Sequence, residues 1–134
     1  MTSCGLCLSR KRLVAVVVDD DGRAAPALIA GNTEDAVWGL LENLDAVHGL
    51  DCELVLPEEL LKLDSLSRFA FERGHSLWVA PQRLVEAVRY AAGLATGPPA
   101  RLAAMIARLV LVPGFRGHLR RLQRNHDRRQ LSLL

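Results

Sequence analysis

Residues 4–22 read CGLCLSRKRLVAVVVDDDG. Two apolar runs, residues 5–8 and 13–18, are divided by Ser9-Arg10-Lys11-Arg12, a gap short enough for a β-hairpin. The second run is rich in β-branched valine, as strands are. Three aspartates and Gly22 follow, and Asp and Gly are the residues a tight turn uses. The same three carboxylates are also the obvious candidates for a metal site. Whether Asp19–Asp21 form a turn at a sheet edge or a pocket beside a central strand therefore decides what chemistry the chain can perform.

Outward from this stretch, "APALIAG" predicts a short third strand, with Pro26 placing it near an edge. The period then changes. In "NTEDAVWGLLENLDAVHG", Asn32 is placed to cap a helix with Asp35 three residues on. Val37, Leu40, Leu41 and Leu44 fall on one helical face, and Gly49 ends it. "CELVLP" has the composition of a buried strand stopped by Pro57. "EELLKLDSLSRFAFERG" predicts a helix with Glu58 and Glu59 at its positive N-terminus. "HSLWVAP" is a further strand, "QRLVEAVRYAAGLA" a helix, and "PPARLAAMIARLVLV" another, opened by proline and closed at Pro113-Gly114. The order β-β-β-α-β-α-β-α predicts an α/β domain of the ribonuclease H-like kind. It would be a mixed five-stranded sheet with helices on both faces, because parallel crossovers are right-handed.

The chain has 134 residues, half of them apolar, enough for one domain with its own core. No run reaches the ~18 apolar residues of a membrane span, and no secretory signal is recognisable, so no membrane partner is expected. Three cysteines, Cys4, Cys7 and Cys52, suit a reducing, cytoplasmic setting better than a disulfide framework. The net charge of +2 is unevenly spread. Residues 113–134 hold Arg116, Arg120, Arg121, Arg124, Arg128 and Arg129 against the single acid Asp127, a charge of +5. Residues 1–112 hold 11 basic and 14 acidic side chains, a charge of −3. The expected organisation is a domain over 1–112 and a basic helical arm over 113–134. On a helix Arg116, Arg120, Arg124 and Arg128 form one stripe beside Phe115, Leu119 and Leu122. Such an arm suits a nucleic-acid backbone, DNA or RNA, or pairing with a second copy of the chain.

In order and spacing, the chain resembles the N-terminal catalytic domain of the IS110-type transposases, the RuvC-like DEDD class, across residues 5–130. The resemblance rests on "GLCLSRKRLVAVVVDDDG", "NTEDAVWGLLENL", "CELVLPEELLKLDSLSRFAFERG", "LWVAPQRLVEAVRYAAG" and "ATGPPARLAAMIARL". It implies action on DNA through four carboxylates holding two metal ions about 4 Å apart. At the positions aligned with those acids this chain has Cys7, Pro57, Pro99 and Leu102. Mg²⁺ takes hard oxygen ligands in octahedral geometry, and these residues supply none. The resemblance therefore implies a domain without the family's catalysis, with no cofactor and no metal. The serine-bearing C-terminal domain of the family has no counterpart in these residues.

The alternative is a phosphodiesterase that holds Mg²⁺ or Mn²⁺ with Asp19, Asp20 and Asp21 together with Glu58 and Glu59. It requires residues 13–18 to be a first strand, with Asp19 at its end facing Glu58 and Glu59. Other candidates are weaker. Cys4 and Cys7 have zinc-knuckle spacing, but residues three apart on a strand face opposite ways, and Cys52, His48 or His75 would have to complete the set. His118 and His126 have no nucleophile at a meaningful spacing. Trp38 and Trp78 sit in apolar surroundings that favour core roles over base stacking. "TGPP" lacks the Lys-Ser/Thr of a phosphate loop.

Overall fold

The computed structural model describes residues 2–49, 51–91, 93, 98–125 and 130–133, with side chains up to Leu122. The opening stretch forms β1 (Ser3–Ser9) and β2 (Arg12–Val18), paired antiparallel from Ser3 opposite Val18 to Ser9 opposite Arg12. Only Arg10 and Lys11 lie between them, both left-handed, at φ 51° and 65°. Positive φ at both central residues is the type I′ hairpin, whose twist matches that of the strands. Asn and Gly take this conformation easily. A residue with a longer side chain pays on the order of 1 kcal/mol for it.

β3 (Leu28–Gly31) pairs with the outer side of β2. α1 (Glu34–His48) follows, capped by the Thr33 hydroxyl, one residue later than the sequence suggests. β4 (Glu53–Pro57) crosses over to pair parallel with β1, and β5 (Leu77–Ala80) pairs parallel with β4. Between them, the expected single helix divides into a 3-10 turn, Glu58–Lys62, and α2 (Asp64–Glu72). α3 (Gln82–Ala91), α4 (Pro99–Leu109) and the short α5 (Pro113–Arg116) complete the helices.

The sheet order is β3-β2-β1-β4-β5-β6-β7. Its first five strands match the expected sheet, and the last two correct the sequence reading of the tail. In place of a helical arm the chain forms β6 (Arg120–Asn125), antiparallel to β5, and β7 (Gln130–Leu133), antiparallel to β6. The physical reason lies in Leu119 and Leu122. Residues three apart share a helix face but fall on opposite faces of a strand. Leu119 packs into one core layer and Leu122 into the other. As a strand the segment also pairs backbone groups that β5 would otherwise leave open at an edge. The arginine stripe at every fourth residue does not exist in this form, and the helix through which a second copy was expected to pair is absent among the described residues.

The inner residues of the central strands are apolar because both sheet faces are covered. Leu13, Ala15 and Val17 join Cys4, Leu6, Leu54 and Leu56 in the layer under α1 and α2. Val14, Val16 and Val18 join Cys7, Val55 and Ala80 in the layer under α3 and α4. The α1–α2 side is pinned by a buried polar knot. Asp45 accepts from Arg73 and meets His75 Nε2 at 2.5 Å, while His75 Nδ1 lies 3.0 Å from the Cys52 carbonyl.

On the opposite face α4 lies on β1 at backbone distance. A Cβ on Gly5 would stand 2.0 Å from the Ala103 carbonyl oxygen and 2.5 Å from the Ala107 nitrogen. Ser3 donates its hydroxyl to the Ala107 carbonyl at 2.6 Å. Gly5→Ala should therefore lift α4 and cost about 3 kcal/mol in chemical denaturation; a loss below about 0.5 kcal/mol would refute the close approach. The paired change Arg10→Asn, Lys11→Gly should instead raise stability by about 1 kcal/mol, as a relaxed type I′ turn requires.

Candidate functional site

β1, β4 and β5 all point their C-terminal ends the same way, and α4 begins over that end. The β1–β4 ladder ends with Gly5 opposite Val55. Two residues further along each strand, Cys7 and Pro57 stand level on the same face. Cys7 Sγ lies 3.3 Å from the Pro99 carbonyl oxygen, to which the thiol donates. Leu102, one turn along α4, packs against the same core layer as Cys7. Of the four positions singled out in the sequence, Cys7 and Pro99 touch, Leu102 packs on the same core layer, and Pro57 ends the neighbouring strand.

Cys7 is 3% exposed. Burial raises its thiol from the ordinary 9.0 to about 11, the negative charge of Glu59 adds to this, and Arg89 opposes it. Glu58 and Glu59 follow Pro57 directly and are exposed in the first turn of the 3-10 helix. One neutral thiol with a nearby exposed carboxylate does not meet the oxygen-rich octahedral requirement of Mg²⁺, so the residues present do not fit the two-metal arrangement. No group of three or more His, Cys, Asp or Glu able to hold a metal ion exists among the described residues.

Asp19–Asp21 lie elsewhere. Because β2 runs antiparallel to β1, Val18 is opposite Ser3, at the far end of β1 from Cys7. Four residues of strand, on the order of 13 Å, separate the two ends. Asp19 and Asp21 are thus not brought together with Glu58 and Glu59, which corrects the alternative reading. Asp19 instead closes its own turn. Its Oδ1 accepts from the backbone N–H of Asp21 at 3.0 Å and of Arg23 at 2.9 Å, and Gly22 sits at φ 81°. Arg108 of α4 then donates to the Gly22 carbonyl through two nitrogens, at 2.9 and 3.1 Å.

The zinc candidates are dispersed as well. Cys4 and Cys7 occupy opposite core layers, and both ring nitrogens of His75 already face acceptors.

Of the tail arginines, Arg116 is committed to the fold. Its guanidinium stacks 4.8 Å from the Trp78 ring centroid, donates to the Val110 carbonyl and lies 3.6 Å from Glu53. Arg120 and Arg121 are exposed at the start of β6. Arg124 contributes backbone to β6, and Arg128 and Arg129 lie outside the described residues. A feature that the charge count of the tail obscures is the hairpin. Arg10, Lys11 and Arg12 are all exposed at the same end of the sheet as Cys7. The signal was present in the sequence as a basic triplet between two strand-like runs.

No protein-family model matches the chain, and no curated protein sequence matches it. Solved structures do. A Thermus thermophilus RuvC structure superposes with a TM-score of 0.60 at 17% identity, covering 91% of this chain and 100% of that one. T. thermophilus RuvC in complex with a Holliday junction substrate gives a TM-score of 0.58 at 19% identity, covering 91% and 99%. The chain has the RuvC-like form of the ribonuclease H-like fold.

The raised thiol has a measurable consequence. Below about pH 9 Cys7 is protonated both folded and unfolded. As pH rises from there the unfolded thiol ionises first, so stability falls between about pH 9 and about 11. Cys7→Ala should flatten that part of a denaturation-versus-pH curve by roughly 2 kcal/mol, and parallel curves for the two proteins would contradict the burial of the thiol.

Proposed function

We propose that this chain is a RuvC-like domain of the IS110-transposase type that has lost catalysis and acts by binding nucleic acid. The observation that carries the reading is the Cys7–Pro99 contact at 3.3 Å, because both residues stand at positions that the sequence resemblance aligns with the family's carboxylates. A thiol held neutral donates a proton where a metal site needs an anionic acceptor. Pro57 and Leu102 add no oxygen donor of their own side chains.

Two facts support a nucleic-acid partner. The chain shares its fold with T. thermophilus RuvC, whose structure is in complex with a Holliday junction substrate. Basic side chains are also displayed at the start of β6, where Arg120 and Arg121 are exposed; Arg124, Arg128 and Arg129 follow in the sequence. Arg116 belongs to this surface only at its root, since Trp78 and Glu53 hold it. Arginine meets phosphate oxygens two at a time and stays charged at every relevant pH.

The test has two arms. Labelled duplex and four-way-junction DNA should bind with an affinity that falls steeply with salt. Arg120→Ala, Arg121→Ala should lower the slope of log K against log salt by about 1.8 if each arginine neutralises one phosphate. In Mg²⁺ or Mn²⁺ the protein should leave the same DNA uncut. Metal-dependent cleavage that disappears in Glu59→Gln would overturn the loss of catalysis, and affinity indifferent to salt would overturn the phosphate contact.

A further inference from the structure

We infer that the β1–β2 hairpin is a second nucleic-acid contact, in which Arg10, Lys11 and Arg12 hold the phosphates of a single strand lying in the adjoining cleft. The inference rests on the nucleic-acid reading above and names a part of the surface that the tail does not include. The cleft, of about 750 Å³, is lined by Ser9, Arg10, Arg12, Val14, Ile29 and Pro99. Pro99 is the residue whose carbonyl receives the Cys7 thiol, so the cleft adjoins the former catalytic position.

Charge complementarity identifies the occupant. Among the described residues Arg68 is matched with Glu34 and Asp64, Arg73 with Asp45, Arg89 with Glu86 and Arg116 with Glu53, whereas Arg23, Arg83 and Arg101 stand singly without an ion pair, and Arg120 and Arg121 as two. The three hairpin cations are exposed, and no ion pair among the described residues engages them. Three uncompensated positive charges on consecutive residues repel one another, and a polyanion relieves that repulsion. Two of the three also occupy left-handed backbone positions that Asn and Gly fill more easily.

The floor of the cleft is apolar. Ile29 is 61% exposed, and beside it stand Val14 and Pro99. An apolar floor under a cationic rim suits sugar and base faces below phosphates, as in single-strand grooves. No aromatic ring lines the cleft, so the contact should read phosphate and be nearly indifferent to base sequence.

The probe is a fluorescein-labelled oligothymidylate, followed by anisotropy across a salt series in the full chain. The variant Arg10→Asn, Lys11→Gly, which relaxes the turn and should fold at least as well as the parent, tests the site without a folding confound. It should bind about tenfold more weakly near 0.1 M salt, with the slope of log K against log salt reduced by about 1.4. Ile29→Ser should weaken binding without changing the slope.

Unchanged affinity in the hairpin variant, with loss in Arg120→Ala, Arg121→Ala, would overturn this inference and leave the broader reading standing. Binding by neither oligothymidylate nor duplex would overturn both. Labelled poly-glutamate binding more tightly than oligothymidylate at equal charge, with the loss in the hairpin variant confined to the peptide, would assign the hairpin to an acidic protein and overturn the inference as well.

Discussion

The rest of the structure depends on the distance between α4 and β1. With no side chain on Gly5, the helix backbone settles onto the strand, and Ser3 ties it there through the Ala107 carbonyl. This contact does more than bury alanines. It fixes the axial position of α4, and with it the place of Pro99 and Leu102 relative to Cys7. The groups that α4 brings towards Cys7 are the Pro99 carbonyl oxygen and, one turn on, the Leu102 hydrocarbon. Scaffold and donor set are thus separate properties of this end of the sheet.

On the scaffold, β1 and β4 could be read from the sequence because their strands are buried on both faces and so are apolar without interruption. α1 announced itself by periodicity, and the buried leucines are those the period selects. The tail was misread for a related reason. Arginine and leucine at spacings of three and four satisfy a helix pattern, and nothing local contradicts it. What decides the segment is distant: β5 offers an open edge, and two core layers each take one leucine, Leu119 on one side and Leu122 on the other. Propensity yields to tertiary pairing in such a place.

The site was legible to a comparable degree. Cys7, Pro57, Pro99 and Leu102 were marked by alignment to a family pattern, and the fold brings them to one end of the sheet. The direction of β2, which decides whether Asp19 can reach Glu58, follows from a two-residue loop between the apolar runs, since so short a link permits only an antiparallel partner. The hairpin cations were visible as letters but not as a surface. Their exposure emerges only once Arg68, Arg73, Arg89, Arg108 and Arg116 have been placed against their carboxylates, carbonyls or rings.

An electrostatic consequence joins these threads. A two-metal nuclease attracts phosphate with bound dications, and its own carboxylates repel phosphate until those ions arrive. Remove the carboxylates and the end of the sheet no longer opposes a polyanion, even without metal. Exposed arginines at that end, Arg10 and Arg12 on the hairpin and Arg120 on β6, then act unopposed except by Glu58 and Glu59. On the reading proposed above, the same residues that leave no place for metal would make metal-free phosphate binding easier. A polyanion held by arginines alone is gripped equally before and after any bond change, and uniform grip of that kind gives affinity without catalysis.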